Sequence, residues 1–505
     1  MDHEKEEKRR FKRQNKKKKH KLHRDDITVV DKDVAKKAVV ATAMGNAMEW
    51  FDFGIYSYLA ATIGKVFFSE AASGTQLIFS FATFAVAFLV RPIGGMFFGM
   101  LGDRLGRKKI LAITLIMMAL ATLGIGIIPS YASIGITAPI LLLIARLVQG
   151  FSTGGEYSGA MTFIAESAPD KKRGIMASGL EVGTLVGYIG GSGIVTLLTF
   201  ILGSETMLAW GWRIPFLIAA PIGFIGLYLR THLEESPAFE KMEQEKEKAE
   251  EADSAHHVSM KDILIHHRRP LLIGLIIVFF YNVIDYTVLT YMPSHLTAVL
   301  GYGETKGLLL ILIVMFIMVP LVILMGHFGD RIGNKRIIQG SLIGVIILAI
   351  PAFMLIDSGN NWLVFAGLLV LAFLLAALQG TMPSQLPSLF FTNVRYGGLA
   401  ITYNISTSLF GGTAPLLIAW LVDITASNLA PAYYVVFASL VGIVVVSFFL
   451  QNTSGKPLRG SPPAVEEKQE IQEVLQDAEE DGLWWHEEKQ KIDEHISEFE
   501  NGQKG

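Results

Sequence analysis

The sequence has no cysteine and little charge. Of its 505 residues, 51% are hydrophobic and only 18% are charged, whereas about 25% of residues are charged in ordinary soluble domains. The lack of cysteine excludes disulfides, thiolate chemistry and Cys-based metal sites. The charges that are present concentrate at both ends and in one middle segment. This distribution is typical of a multi-pass membrane protein, and the formal net charge of −2 averages over unlike segments.

The beginning of the chain also lacks the pattern of a secretory signal. The first 24 residues hold twelve Lys or Arg and four acidic residues. No short apolar core with a small-residue cleavage site follows them, so we expect no cleavable signal peptide.

Long apolar runs are what the sequence has instead. A run of about 20 residues spans roughly 30 Å of hydrocarbon. Lys and Arg concentrate in alternate loops between these runs, so the positive-inside rule predicts that both termini are cytoplasmic. We predict twelve transmembrane helices, at about 36–60, 75–99, 110–130, 138–164, 175–201, 211–230, 271–295, 305–328, 336–356, 360–384, 396–420 and 431–451.

One loop sequence occurs twice. GMLGDRLGRKK, residues 99–109, recurs as GHFGDRIGNKR, residues 326–336, and each copy follows the second helix of a six-helix half. Two halves related by an axis along the membrane normal are the layout of one large transporter class. We therefore predict an all-α membrane protein with a basic segment 1–35, six-helix halves 36–230 and 271–451, a middle loop 231–270 and an acidic tail 452–505.

These loops and several other segments resemble a known family. The pattern at Gly99, Asp103, Arg104, Gly106, Arg107 and Lys108 resembles the cytoplasmic signature of the major facilitator superfamily, although the second copy has Asn334 in place of Arg107. GNAMEWFDFGIY, ARLVQGFSTGGEYSGA and LTYMPSHL resemble the metabolite:proton symporters, and among them the bacterial proline/glycine-betaine symporters. The resemblance runs from about Val29 to the twelfth helix and includes the long tail.

The resemblance implies a function and a location. It implies proton-coupled uptake of proline, glycine betaine and related zwitterions by alternating access, activated by osmotic pressure. The proton gradient would supply the energy, without a cofactor or a metal. The protein would lie in the bacterial inner membrane, with no nucleic acid among its partners.

The repeated loops are candidates for a conformational latch. Asp103 can accept from the positive end of a neighbouring helix, a contact worth about 0.3–1 kcal/mol at exposed positions. The resemblance implies that Arg107 of this sequence pairs with Glu166. A second interpretation stays open, in which these charges only anchor helix ends and set topology. The predicted latch residues are Gly99, Asp103, Arg104, Gly106, Arg107, Glu166, Asp330 and Arg331.

Some ionisable residues lie too deep in predicted helices for topology to explain them. A charge near the bilayer centre costs about 3 kcal/mol or more, which marks such residues as functional candidates. Arg146 resembles the family residue that is assigned to proton coupling. The alternative is a set of permanently paired charges that only hold helices together. The predicted proton-coupling residues are Glu49, Asp52, Arg91, Arg146 and Glu156.

A zwitterion needs two kinds of contact. An Arg suits its carboxylate, and aromatic faces suit its cationic nitrogen, with about 1–2 kcal/mol for each desolvated cation–π contact. Any one of the available aromatic residues is more often a core residue than a ligand contact, and the resembled pattern has Tyr at the position of Asp285. The predicted substrate-binding residues are Trp50, Phe51, Tyr56, Arg91, Tyr281, Asp285 and Tyr286.

The two chain ends have further candidate roles. Ile471, Leu475 and Ala478 begin a heptad-like seam in the tail, but Gly482 and Lys489 interrupt it, so at best a marginal coiled coil forms. Self-association of the tail and a simple amphipathic or disordered tail are both open. The basic head is a candidate for contact with anionic lipid.

Three other function classes are alternatives to zwitterion symport. A proton symporter for organic acids such as 2-oxoglutarate or shikimate would need more than one central cation, and Arg91 with Arg146 keeps that alternative open. A channel or receptor suits repeated six-helix halves poorly. A membrane enzyme is disfavoured because neither a metal-ligand cluster nor a nucleophile triad is apparent.

Overall fold

A computed structural model describes most of the chain. It covers residues 24, 27–105, 107–154, 156–219, 221, 263–265 and 267–480, and it describes the backbone alone at 99–100, 102–105, 107–112, 156, 393 and 477–480. Most of the predicted basic segment and middle loop, and the tail from residue 481, therefore lie outside the described residues.

Six helices of twelve residues or more make up most of the first half as far as it is described, and shorter helical segments lie at Tyr131–Ile134 and 213–219. The fourth predicted span is two consecutive helices, α4 and α5, and α6 continues through a π-helical turn at Met207–Gly211. The helices are α1 (Lys32–Phe67), α2 (Ser73–Leu105), α3 (Arg107–Ile127), α4 (Thr137–Ser152), α5 (Glu156–Ser167) and α6 (Arg173–Thr206).

Seven helices of twelve residues or more make up the second half, and a three-residue helix, Met292–Ser294, lies between two of its π-helical turns. Its first helix, α7, continues through π-helical turns at Tyr286–Tyr291 and His295–Val299, and a similar turn at Thr407–Gly411 joins α11 to α12. The helices are α7 (Arg268–Asp285), α8 (Glu304–Phe328), α9 (Asn334–Ile356), α10 (Asn361–Gln385), α11 (Thr392–Ser406), α12 (Ala414–Thr425) and α13 (Ala430–Phe449).

Eleven of the twelve predicted spans coincide with these helices. Eight described segments are long and apolar enough to cross a membrane, and one of them, Glu304–Ile356, contains two predicted spans. The helix α1 is not among the eight, because Glu49, Asp52 and several tyrosines lower its hydropathy. The sixth predicted span, 211–230, is described only as far as 219 and at 221.

The helix α1 lies at the centre of the bundle. Every residue from Glu49 to Ala60 is buried, so other helices surround this stretch on all sides. By contrast α8 exposes Phe316 and Leu324, as expected for a helix with one face toward lipid. Glu49 and Asp52 therefore lie on a stretch of helix that other helices enclose completely.

Glycines explain how closely α6 approaches α1. Gly183, Gly187 and Gly191 recur every four residues along α6. A Cβ atom at any of these positions would collide with a backbone carbonyl oxygen of α1. Small residues at this spacing let two backbones come into contact without any ligand.

The C-terminal strap, residues 451–465, crosses the end of the bundle where both described chain ends lie, which we call the terminal face. Arg173 Nη1 donates to the carbonyl of Lys456 at 2.8 Å, and Arg395 Nη2 donates to the carbonyl of Arg459 at 2.7 Å. Because Arg173 begins α6 and Arg395 lies on α11, the strap connects the two halves of the bundle.

The strap ends in a short sheet with the beginning of the chain. Strand β1 (Thr28–Val29) pairs in parallel with β2 (Ala464–Val465). A short helix, α14 (Glu470–Glu480), follows, and its Ile471 packs with Ile27 and Val465. Ile471, the first residue of the heptad-like seam, therefore packs within its own chain. The part of the seam from Trp485 onward lies outside the described residues.

Candidate functional site

The first buried ion pair joins α1 to α2. Arg91 Nη2 donates to Glu49 Oε1 at 2.8 Å, and both side chains are about 5% exposed. The guanidinium of Arg91 also lies 4.2 Å from the ring centroid of Phe88 and 4.7 Å from that of Phe53. Removing either partner of such a pair leaves a buried charge uncompensated, which is strongly destabilising.

The second carboxylate of α1 uses different partners. Asp52 Oδ2 accepts from Thr122 Oγ1 at 2.7 Å and from Gln149 Nε2 at 3.4 Å. Gln149 in turn accepts from Arg146 Nη1 at 2.5 Å, and the Arg146 guanidinium lies 3.7 Å from the centroid of the Tyr56 ring. Asp52 is thus connected to Arg146 through a neutral amide rather than by direct contact.

We call Glu49, Asp52, Arg91 and Arg146 the α1 ionic network. Although Glu49 and Asp52 are three residues apart on one helix, one binds α2 and the other binds α3 and α4. Two carboxylates and two guanidiniums balance in formal charge, so the network is neutral when all four are ionised. The structure therefore brings four of the five predicted proton-coupling residues together, while the side chain of Glu156 lies outside the described residues.

An aromatic cluster covers this network and crosses between the halves. The rings of Trp50 and Tyr188 are 5.4 Å apart, and those of Trp50 and Tyr286 are 6.1 Å apart. Tyr286 also packs edge-on against Phe88, 5.5 Å away. Trp50, Phe88 and Tyr188 belong to the first half and Tyr286 to the second, so this cluster occupies the interface at which alternating access would occur.

The other predicted aromatic residues have varied surroundings. Phe51 lies against Gly190 of α6 and packs between two helices. Tyr56 donates to the carbonyl of Ser80 at 2.9 Å, beneath Arg146. Trp50 and Tyr286 thus lie together at the interface between the halves. Phe51 instead packs on α6, and Tyr56 packs against Arg146 and Ser80, so both have partners within the first half.

A second acidic group lies between the halves. Tyr281 on α7 donates to Glu181 Oε1 at 2.8 Å, and Tyr157 on α5 makes a short hydrogen bond to the same oxygen. One turn beyond Tyr281, Asp285 accepts from Gln379 Nε2 on α10 at 2.9 Å. We call Glu181 and Asp285 the inter-half acid pair, because the first lies in the N-terminal half and the second in the C-terminal half.

The second copy of the repeated loop caps a helix of the first half. Asp330 accepts from the backbone N–H groups of Gly174 at 2.6 Å and Ile175 at 2.9 Å, at the beginning of α6. This is the contact that the sequence analysis expects of Asp103. The side chains of Asp103, Arg104 and Arg107, together with Gly106, lie outside the described residues.

The remaining predicted latch residues lie near this contact. Glu166 accepts from Arg395 Nη1 at 2.7 Å, an ion pair that connects α5 to α11 across the halves. Arg331 is exposed next to Asp330. Gly99 lies within α2. The pairing of Glu166 with Arg107 stays a prediction, and the structure adds Arg395 as a partner.

Several contacting residues were missed from the sequence. Glu181 lies inside the predicted fifth span, and its charge in an apolar run was a signal that could have found it. Thr122, Gln149 and Gln379 carried no such signal, because neutral polar residues are common in transmembrane helices. Arg395 was missed as well, because it could be taken for one of the basic residues that concentrate in alternate loops and set topology. Within the described part of the chain, no group of three His, Cys, Asp or Glu residues is arranged to hold a metal ion.

Comparison with known proteins is consistent with this architecture. Residues 38–464 match the family model described as "Sugar (and other) transporter". The chain is 47% identical over 457 residues to the glycine betaine/proline/ectoine/pipecolic acid transporter OusA of Dickeya dadantii, covering 90% of each chain. It is 48% identical to the proline/betaine transporter of Salmonella typhimurium, covering 89% of this chain and 90% of that one.

A solved structure has the same fold. The partially occluded, inward-open xylose transporter XylE from E. coli superimposes with a TM-score of 0.66 at 18% identity, covering 84% of this chain and all of that one. At this identity the likeness establishes the fold alone. The chain belongs to the sugar (and other) transporter family, and it is a multi-pass membrane transporter of the major facilitator fold rather than an enzyme.

Proposed function

We propose that this protein takes up proline, glycine betaine and related zwitterions together with protons. The observation that carries the proposal is the position of the α1 ionic network directly beneath an aromatic cluster that both halves build. The names of relatives at 47–48% identity support the same substrate class. Substrate at this interface would contact both halves, as alternating access requires.

The α1 ionic network is the proposed coupling device. A proton that binds Asp52 would weaken its hold on Thr122 and Gln149, and would leave Arg146 with less neighbouring negative charge. Glu49 and Arg91 provide the matching pair on the other side of α1, and Glu156 completes the group predicted from the sequence. Coupling then follows if substrate binding and proton binding both favour the same arrangement of α1 against α2, α3 and α4.

The terminal face is the proposed inner gate. Asp330 of the second half accepts hydrogen bonds from the beginning of α6 in the first half, and the Glu166–Arg395 ion pair also connects the halves there. We assign this face to the cytoplasm of a bacterial inner membrane, in line with the distribution of Lys and Arg in the loops. Opening the gate would break both contacts, and Asp103 with Arg107 would form the corresponding contact in the first copy.

Osmotic activation and lipid contact belong to the same proposal. The basic head, 1–35, would contact anionic lipid, and the acidic tail, 452–505, would set the osmolality at which uptake begins. The boundaries of the halves are proposed as 36–230 and 271–451, with a middle loop at 231–270. Self-association would involve the tail beyond the strap.

The decisive experiment compares substrates in one preparation. Purified full-length protein in proteoliposomes is given an inward proton gradient, and the uptake of radiolabelled proline, glycine betaine and 2-oxoglutarate is measured in parallel. We expect accumulation of the two zwitterions, and we expect a protonophore to abolish it. Accumulation of 2-oxoglutarate alone would replace the proposal with the organic-acid alternative, and zwitterion uptake indifferent to the gradient would remove the proton from it.

A further inference from the structure

Among the residues that the structure describes, the inter-half acid pair has no positive counterpart. The described partners of Glu181 are the hydroxyls of Tyr157, Tyr281 and Thr184, and the described partner of Asp285 is the amide of Gln379. Within the residues that the structure describes, no Lys, Arg or His forms an ion pair with either carboxylate. Glu181 is 1% exposed and Asp285 is 3% exposed, and a buried charge without a partner is costly.

Other polar atoms around this pair are also unmatched. Gln379 Oε1, Trp50 Nε1 and the hydroxyl of Tyr286 are buried without a hydrogen-bond partner. The first is an acceptor, while the indole N–H and the phenol O–H are donors. Buried polar groups are nearly always paired, so such a set points to a ligand or solvent that completes it.

The donors and acceptors are ordered along one interface. Tyr281 and Asp285 are four residues apart on α7 and therefore share a face of that helix. Tyr286 follows directly, and its ring lies 6.1 Å from that of Trp50. Acceptor groups at Glu181, Asp285 and Gln379 thus adjoin donor groups at Trp50 and Tyr286, between the two halves.

Aromatic faces surround the acceptor end as well. Tyr157 donates to Glu181 and stacks on Tyr403 of α11 with ring centroids 4.5 Å apart. Carboxylates next to aromatic faces suit a desolvated organic cation, which gains both a charge partner and cation–π contacts. A small alcohol or sugar would leave the two carboxylates uncompensated.

We propose that the inter-half acid pair binds the cationic nitrogen of the transported zwitterion, with Glu181 as the principal contact. Trp50 Nε1 and the Tyr286 hydroxyl donate to the substrate carboxylate at the other end. Tyr157 and Tyr281 are positioning residues that hold Glu181 toward the interface. This inference rests on the proposed function, because it names the part of the substrate that each half recognises.

The test separates charge from shape. 3,3-Dimethylbutyrate has the carboxylate and the shape of glycine betaine but carries no positive charge. Competition against radiolabelled glycine betaine on purified full-length protein gives the ratio of the two affinities. We expect Glu181→Gln to weaken betaine binding by about 30-fold or more, the loss typical of a buried charge partner, and to leave the affinity for 3,3-dimethylbutyrate within a few-fold of wild type.

Two further variants keep the test interpretable. Glu181→Asp retains the charge and should retain preference for betaine, whereas Asp285→Asn should lose part of it even where Glu181→Gln folds poorly. Glu205→Gln is the matched control, because Glu205 is an exposed acid on the same helix and its loss should change neither affinity. An equal fall in both affinities, or unchanged betaine binding in Glu181→Gln and Asp285→Asn, would overturn the inference.

Failure of the proposed function gives a different result. If the wild-type protein binds neither proline nor betaine, the zwitterion proposal is wrong, and tetramethylammonium then tests the acid pair by itself. Calorimetric binding of tetramethylammonium that Glu181→Gln abolishes would keep the pair as a cation site. Absence of such binding in the wild type would remove the cation site as well.

Discussion

The two acidic regions of the interior differ in how their charge is balanced. In the α1 ionic network, Glu49 binds Arg91 directly and Asp52 is connected to Arg146 through Gln149. In the inter-half acid pair, Glu181 and Asp285 accept only from neutral groups among the described residues. The first region is complete within one half, whereas the second lies across the interface and lacks a cation.

This difference separates two tasks that a coupled carrier must perform. In the balanced network, a proton that binds Asp52 changes the net charge from zero to +1, so proton binding changes the charge that this buried region must stabilise. An unbalanced acid pair at a moving interface is more stable when a cation joins the two halves there. The two regions share the aromatic cluster, since Phe88 contacts both Arg91 and Tyr286, so a change in one region has a physical route to the other.

The largest effect on stability is expected from a substitution in the α1 ionic network. Arg91→Met removes the partner of Glu49 and leaves a buried carboxylate, which should lower the free energy of unfolding by about 3–5 kcal/mol. The double variant Glu49→Gln with Arg91→Met should recover much of this loss, because no charge then remains unpaired. Thermal unfolding of the purified proteins measures both changes. A double variant no more stable than Arg91→Met would mean that packing, not charge balance, governs this site.

Asp52→Asn tests the α1 ionic network with almost no change in the shape of the side chain. The Asn amide can still accept from Thr122 and Gln149, but it cannot carry a proton. We expect proton-driven accumulation to fall by a factor of about 10² or more, the usual contribution of a proton-transfer group, while exchange of substrate for substrate continues. Normal accumulation in both Asp52→Asn and Glu49→Gln, with normal membrane expression, would exclude both carboxylates from coupling.

The sequence predicted the balanced region far better than the unbalanced one. Glu49 and Asp52 were found because two acids in an apolar helix conflict with the membrane, and Arg91 and Arg146 for the same reason. Their links Thr122 and Gln149 are neutral and lie 70 and 97 residues from Asp52, so no local pattern indicates them. Glu181 was overlooked although, like Glu49, it is an acid inside an apolar run.

The fold was predicted to the level of its spans, but the strap was not. Apolar length and the repeated loop specify helices and halves, since both are local features. The strap has no periodicity, and its contacts depend on where Arg173 and Arg395 emerge on the terminal face. The pairing of β1 with β2 joins residues more than 400 positions apart, which two-residue strands cannot reveal.

A smaller effect is expected at the terminal face. Asp330→Asn keeps an acceptor but removes the charge that favours the beginning of α6, a change of about 0.3–1 kcal/mol. Uptake should fall modestly, and Asp103→Asn should reduce it more, because the second repeat has Asn334 in place of the basic residue. Transport at equal expression in the membrane measures both variants, and an equal or reversed order would contradict the assignment of Asp103 as the stronger latch residue.

The smallest effect is expected where the end of the strap pairs with the beginning of the chain, at Glu466. Burial alone raises the pKa of the Glu466 carboxyl, but the hydrogen bonds and charges of Lys172 and Lys32 outweigh it, and the pKa lies below its usual value. Glu466 therefore favours the docked strap at neutral pH, and this contribution is lost as the pH falls below about 4.5 through the lowered pKa.

Hydrogen exchange at residues 28–30 and 464–466 measures this docking. Glu466→Gln should lower the protection factors of these amides at neutral pH, and it should remove the fall in protection that accompanies protonation of Glu466, because the titrating group is gone. Glu467→Gln is the matched control, since Glu467 is more exposed and meets only Lys32, at 3.4 Å, among the described residues; its pH profile should follow wild type. Identical acid profiles in the wild type and in Glu466→Gln would show that the charge of Glu466 does not help to hold the strap, which would then depend on its other contacts, such as those with Arg173, Arg395 and Asp170.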